Sequence, residues 1–305
     1  MPDGLTAWVF PGQGAQETGM GADLHERFPE SRDLFDRADA ALGRSISKLC
    51  FQATSDELGR TANAQPAIYV TSLACLAAAR ASGAVEGPPS FVAGHSMGEY
   101  TALAAAGAFD FEAGLKLVEE RGRLTQAAAD TRPGSMAALL GLDDDAARKL
   151  CADTATEVCN FNAPGQIVIG GDSDAVAVAC TLATERGARR AIPLDVTGAF
   201  HTSLMQPAVD AFAEAVSSTE MRSPDTPFVS NKTAAAMTSA NEIGQALVYQ
   251  LTHPVRWVEC VKFMESQGVS SIIEFGPGRV LTGLVKRIAP AITLRNVNGA
   301  GALVA

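Results

Sequence analysis

The sequence predicts an α/β fold in two parts: a large part built on a mainly parallel sheet, and a smaller ferredoxin-like part inserted into it. Three observations carry this. Short apolar runs alternate with helix-period segments over most of the chain, the pattern of parallel strands joined by crossover helices. Between about residues 133 and 194 the order becomes β-α-β-β-α-β, that of a ferredoxin-like unit. Gly94-His95-Ser96-Met97-Gly98 lies between a strand candidate and a helix candidate, where a G-x-S-x-G turn exposes its serine.

Taken in order, Ala7-Trp8-Val9-Phe10 is apolar throughout and reads as a buried strand. It runs into Pro11-Gly12-Gln13-Gly14-Ala15-Gln16, whose glycines let backbone N–H groups point inward. No Lys-Ser/Thr follows, so this is not a Walker loop, and alone it reads equally well as a plain turn. Residues 29–42 predict a helix with Pro29 at its start and Gly43 closing it. Residues 65–81 are more apolar and predict a buried helix beside the sheet. Gly87-Pro88-Pro89 then breaks the chain before the strand Phe91-Val92-Ala93. Residues 97–107, rich in Ala and Leu, are helical. Residues 111–129 place apolar positions at helical spacing among Lys116, Glu119, Glu120, Arg121 and Arg123, so one face turns toward Ser96.

In the inserted part, strands are expected at 135–141, 157–162, 166–170 and 190–194, and helices at 143–152 and 172–187. Ala163-Pro164-Gly165 makes the tight turn between the middle strands. Beyond His201 come a helix to about residue 217, a short strand at Phe228-Val229-Ser230 and a helix at 242–251. A helix at 255–267 opened by Pro254, a strand at 271–275 closed by Gly276-Pro277-Gly278, a helix at 280–288 and a strand at 292–297 complete the chain. The domain bounds that follow are 1–128 with 196–305 for the large part and 129–195 for the small one.

Composition excludes several classes. At 305 residues, 47% hydrophobic and 19% charged, the chain buries a substantial core and is not disordered. A formal charge of −10 argues against nucleic acid or an anionic membrane as partner. Met1-Pro2-Asp3-Gly4 lacks the basic and apolar regions of a signal peptide, and no apolar run approaches membrane-spanning length. The six cysteines (Cys50, Cys75, Cys151, Cys159, Cys180, Cys260) are scattered without a C-x-x-C pair, as expected of reduced thiols in a cytoplasmic protein. Four histidines with no H-E-x-x-H or similar cluster give no reason to expect a metal.

Ser96 needs a base and donors for an oxyanion. The N–H of Met97, at the start of the following helix, is one donor, and the Gln13 loop is the natural source of the second. His95 adjoins Ser96, so its side chain points away from the hydroxyl; His25 lies in a polar segment and is expected to be exposed. His201 and His253 are both placed to reach Ser96, and composition does not choose between them.

Six stretches occur in order: Phe10-Pro11-Gly12-Gln13-Gly14, Gly94-His95-Ser96-Met97-Gly98-Glu99, Asn160-x-Asn162-x-Pro164-Gly165-Gln166, Gly198-Ala199-Phe200-His201, Pro254-Val255-x-Trp257 and Glu274-Phe275-Gly276-Pro277-Gly278. Together they resemble the malonyl-CoA:acyl-carrier-protein transacylase family, over essentially the whole chain. The resemblance implies an α/β-hydrolase-like large domain with a ferredoxin-like small domain. It makes Ser96 the acylated nucleophile and His201 its base, with a backbone carbonyl near Gln250 orienting the imidazole. It makes the N–H groups of Gln13 and Met97 the oxyanion hole. It assigns Arg121 to the free carboxylate of malonyl, where the plain alternative is a solvated helix charge. Phe200 resembles the bulky residue of malonyl-selective members, which methylmalonyl-selective ones replace with serine.

The implied reaction carries malonyl from malonyl-CoA to a phosphopantetheinylated acyl carrier protein, in fatty-acid synthesis or for a polyketide synthase in trans. No bound cofactor or metal is implied, and the enzyme is expected to act as a cytoplasmic monomer. An acidic carrier protein meeting an acidic enzyme needs a local basic patch; Arg189, Arg190, Lys286 and Arg287 are the candidates. Two rival readings are an acyl hydrolase or thioesterase acting on carrier-protein thioesters, and a non-catalytic carrier-docking module. Arg121 counts against the first, and an intact Ser96 with His201 against the second.

Overall fold

The computed structural model describes residues 4–303; residues 1–3, on which the leader reading rests, lie outside them. Among the described residues ten strands are numbered in chain order: β1 (Leu5–Phe10), β2 (Phe91–Gly94), β3 (Ser135–Leu140), β4 (Glu157–Ala163), β5 (Gln166–Gly171), β6 (Arg190–Pro193), β7 (Phe228–Val229), β8 (Ala236–Met237), β9 (Val269–Phe275) and β10 (Thr293–Val297). They form two sheets, one six-stranded with order β10-β9-β1-β2-β7-β8 and one four-stranded with order β4-β5-β3-β6. All neighbours in the larger sheet are parallel except β7 and β8.

β1 is central, and its alternating side chains divide the large core in two. Trp8 and Phe10 join Ile68, Tyr100 and Leu117 from the helices Thr61–Ala81, Gly98–Ala105 and Phe111–Thr131. Ala7 and Val9 join Trp257, Val261, Leu281 and Val285 from the helices Trp257–Ser266 and Val280–Ile288. The run Ala7–Phe10 of β1, apolar at every position, is therefore buried on both faces, and the end of β2 is locked between helix layers.

The four strands of the smaller sheet, all antiparallel to their neighbours, lie within residues 129–195. Their order is that of a ferredoxin-like unit. The helices Asp144–Thr154 and Ser173–Glu185, N-capped by Asp143 and Asp172, cover one face over Leu139, Phe161, Ile167 and Ile169. Met136, Cys159 and Val168 on the other face meet Phe200 and Val196 of the larger part.

Several expected bounds shift for visible reasons. The buried helix begins at Thr61 rather than 65, because Pro66 does not end it: Pro66 has no N–H for the Ala62 carbonyl, and Arg44 Nη2 donates to that carbonyl instead, at 3.3 Å. The helix expected from 255 begins at Trp257. Val255 instead pairs with β4, its N–H donating to Cys159 O and its carbonyl accepting from Phe161 N–H, both at 2.9 Å. The single helix expected after His201 is a 3₁₀ segment, Ser203–Ala208, followed by an α-helix, Val209–Ser218, with Pro207 at the change. Residues 44–60 hold two short helices, Ile46–Gln52 and Ser55–Gly59, capped by Ser45 and Thr54.

Candidate active site

The turn after β2 is made by close packing. A Cβ on Gly94 would lie 1.9 Å from the Gly98 carbonyl carbon, and one on Gly98 would lie 2.2 Å from Phe10 O, so neither position accepts a side chain. Between them Ser96 has φ 53°, a left-handed conformation rare for a residue with a Cβ. Asn231, in the turn just beyond β7, holds the Ser96 turn: its Oδ1 accepts the Ser96 N–H at 2.9 Å, and its Nδ2 donates to Gly94 O at 2.8 Å.

Of the two histidines left open by the sequence, His201 is the one the fold brings to Ser96. It also has a positive φ, 63°, and its Nε2 lies 2.7 Å from Ser96 Oγ. Its Nδ1 lies 2.8 Å from Gln250 O. A carbonyl can only accept, so Nδ1 carries the proton and Nε2 is free to take the one on Ser96. Burial, and then the positive charge of Arg121, push His201 down to about 3, so the imidazole is neutral across the physiological range. His253 does not reach Ser96: its ring stacks on the exposed Tyr249 at 3.5 Å, and its Nδ1 faces Tyr249 O. His95 points away as expected, with Nε2 2.7 Å from Asn162 Oδ1 and its ring against Trp257. His25 is a correction: it is half-buried, edge-on to Phe35 and Phe51, because the short helix Ile46–Gln52 places Phe51 over it.

Arg121, only 5% exposed, is no solvated helix charge. Its Nη1 donates to Gln65 Oε1 at 2.7 Å, and its Nη2 to Ser96 Oγ and Gln250 Oε1, each at 3.2 Å. Its Nε is buried without a protein partner among the described residues, leaving a donor in reserve beside the serine. Gln250 serves both sides: its side chain meets the guanidinium and Glu99, and its main chain meets His201. Glu99 is 1% exposed; burial pushes it up to about 8 against the opposing pull of the Asn231 N–H and Arg121.

The N–H groups of Gln13 and Met97 bond no protein group among the described residues, and the Gln13 side chain anchors its loop by donating to Thr61 Oγ1 at 3.1 Å. Ser96, His201, Arg121, Gln13, Met97 and Phe200 all line one cavity of about 340 Å³, with Asn160 and Asn162 of β4 on its far wall. Gln250 stands behind it. Among the described residues no cluster of three or more His, Cys, Asp or Glu side chains is placed to hold a metal ion. Sequence reasoning missed Asn231 and Gln65 and gave Glu99 no role; only Glu99 carried a signal, as the charged residue of an otherwise uncharged helix.

A family model described as acyl transferase domain matches residues 7–291. A malonyl CoA-acyl carrier protein transacylase of Bacillus subtilis is 43% identical over 288 residues, covering 92% of this chain and 90% of that one. Its counterpart in Escherichia coli K12 is 41% identical over 303 residues, covering 98% and 97%. Among solved structures, an acyl carrier protein S-malonyltransferase from Vibrio cholerae superposes with a TM-score of 0.93 at 43% identity, covering 98% of each chain. A malonyl-transacylase in complex with a type II PKS acyl-carrier protein superposes with a TM-score of 0.94 at 41% identity, covering 98% and 97%.

Proposed function

The chain belongs to the acyl transferase family of malonyl-CoA:acyl-carrier-protein transacylases, and from that premise we infer that it moves a malonyl group from malonyl-CoA to the phosphopantetheine thiol of an acyl carrier protein. The observation that carries this reading is a buried arginine donating to the oxygen of a serine that is also bonded to a neutral histidine. A serine hydrolase has no use for a guanidinium at that place; an acyl group ending in a carboxylate does.

In the first half-reaction His201 Nε2 takes the Ser96 proton as Oγ bonds the thioester carbon. The N–H groups of Gln13 and Met97 receive the oxyanion. The C–S bond then breaks, the imidazolium proton goes to the CoA sulfur, and malonyl-Ser96 remains. The carrier-protein thiol repeats the sequence in reverse, giving a ping-pong reaction. Arg121 does more than hold the malonyl carboxylate. Its unpaired charge is one of the reasons His201 resists protonation, and a bound carboxylate neutralises it. The group by which the substrate is recognised therefore also makes the base stronger. Phe200 crowds the α-carbon, which favours malonyl over methylmalonyl.

No bound cofactor takes part in these steps. The carrier protein docks on a basic patch of Arg189, Arg190, Lys286 and Arg287, all exposed. Arg189 packs on Gly141, whose N–H donates to Gly165 O at 2.8 Å, and Arg287 Nη2 donates to Pro164 O at 2.8 Å. The two arginines thus flank one turn from opposite domains. Service to fatty-acid or to polyketide synthesis fits equally. No helix among the described residues is long and apolar enough to cross a membrane, and we take the enzyme to be a cytoplasmic monomer that binds no nucleic acid.

Intact-protein mass measurement after incubation with malonyl-CoA tests the reading. A malonyl adduct on wild type that is absent from Ser96→Ala is expected. Thioester cleavage without an adduct would point to a hydrolase, and no reaction to a docking module.

A further inference from the structure

We propose that Asn231 is a positioning residue for the transfer reaction: its side-chain amide stands in for a peptide unit of the parallel sheet and holds the Ser96 turn in its reactive conformation. The proposal rests on the reading of Ser96 as the acylated nucleophile.

β2 and β7 pair in parallel, with Val92 opposite Phe228 and Ala93 opposite Val229, and the Val92 N–H donates to Pro227 O at 3.0 Å. In a parallel ladder, a residue's own N–H and carbonyl bond the carbonyl before and the N–H after its opposite number. Carried forward in this register, Asn231 falls opposite His95. Its peptide groups would take Gly94 C=O and Ser96 N–H. The strand ends at Val229, however, and the chain turns back, with Ala234 N–H donating to Ser230 O at 2.8 Å. The two ladder positions are filled all the same, by the side chain: Nδ2–H on Gly94 O and Oδ1 on Ser96 N–H.

This substitution solves a geometric conflict. A backbone partner would extend the strand past Gly94, whereas Ser96 must leave it at φ 53° to present its hydroxyl. A side-chain amide has the same donor and acceptor as a peptide but lets both chains diverge. Its orientation is over-determined. Asn231 is fully buried, its main-chain N–H donates to Glu99 Oε1 at 2.6 Å, and Gln250 Nε2 adds a bond to Oδ1 at 3.2 Å. Loss of the amide would leave the Gly94 carbonyl and the N–H of Ser96 itself unpaired, on either side of His95.

Asn231→Ala and Asn231→Asp test this by malonyl transfer kinetics with the melting temperature measured alongside. The alanine variant is expected to lose about 10²-fold in kcat with little change in KM for malonyl-CoA, because the substrate groups are intact while Oγ is misplaced. The aspartate variant keeps the acceptor, and regains the donor only when its carboxyl is protonated. Its kcat relative to wild type should fall from about pH 5 to about pH 9, while the alanine ratio stays flat. The groups facing this position are Glu99 from the following helix, Cys260 at 3.8 Å and Arg121 through Gln250; the alanine ratio isolates their own titration, and the aspartate ratio adds that of the new carboxyl coupled to Glu99. A folded alanine variant with kcat within roughly threefold of wild type, or a flat aspartate ratio, would overturn the proposal. If the alanine variant does not fold, the aspartate series decides. Absence of malonyl-Ser96 on wild type would instead overturn the functional reading.

Discussion

The two sheets face each other across the cavity and differ in how they hold their side chains. On the parallel side, Ser96, His201 and Arg121 are each fixed by bonds from other elements, and all three bond a single residue, Gln250. On the antiparallel side, β4 presents Asn160 and Asn162, and Asn162 is tied to the turn through its bond with His95. In the proposed mechanism the reactive atoms thus sit where bonds from several elements converge, and the cavity wall that faces them sits on the other sheet. Changes on the parallel side should therefore act on rate, and changes on the antiparallel side on who is admitted.

The largest effect expected is on the parallel side. His201→Ala should slow acylation by about 10²–10⁴-fold, and His253→Ala should leave it near wild type, measured as the rate of malonyl adduct formation. A greater loss from His253→Ala would move the base to the wrong side of Tyr249 and break the comparison.

A second test reads the constraint through pH. Glu99, pushed up to about 8 by burial, keeps a proton that the unfolded chain loses near the ordinary 4.5, so its contribution to stability falls as pH rises from about 4.5 to 8. His201, pushed down to about 3, works oppositely: its contribution falls as pH drops below the ordinary 6.5 toward 3. Between about 6.5 and 8, Glu99 alone of the two acts. Stability by denaturant titration should decline there by up to about 2 kcal/mol in wild type, and Glu99→Gln should remove the decline. An unchanged decline in the variant would place its origin elsewhere.

The smallest effect belongs to the antiparallel side. Reversing Arg189 and Arg190 to Glu should raise KM for the carrier protein up to roughly fivefold per disrupted pair while acylation by malonyl-CoA stays intact. Slowed acylation would mean that the two sides are not separable.

Legibility followed the same division. Strands β1 and β2, the Ser96 turn and the loop of Gln13 were readable because each is encoded within a few consecutive residues: an apolar run, then glycines where the chain approaches itself. The ferredoxin-like unit was readable because its six elements have distinct periods. His201 could not be chosen over His253 from composition, since what separates them is the path of residues 249–255, which returns Gln250 O to the imidazole and turns His253 onto Tyr249. Asn231 gave no signal because its role depends on β7 stopping after two residues beside β2, a fact of tertiary register. The 255–267 helix was misjudged at its start for a related reason: Pro254 is a good local helix opener, but pairing of Val255 with β4 overrides it.

The central claim is that Arg121 recognises the carboxylate and, through it, tunes the base beside Ser96. The most direct measurement is kcat/KM for malonyl-, methylmalonyl- and acetyl-CoA in wild type and in Arg121→Ala. Wild type should strongly prefer malonyl- over acetyl-CoA, with methylmalonyl-CoA disfavoured by about 1–3 kcal/mol because of Phe200. The variant should lose malonyl transfer while its relative activity with acetyl-CoA rises, as removal of the charge leaves His201 easier to protonate. A wild type that handles acetyl-CoA as well as malonyl-CoA would contradict the claim.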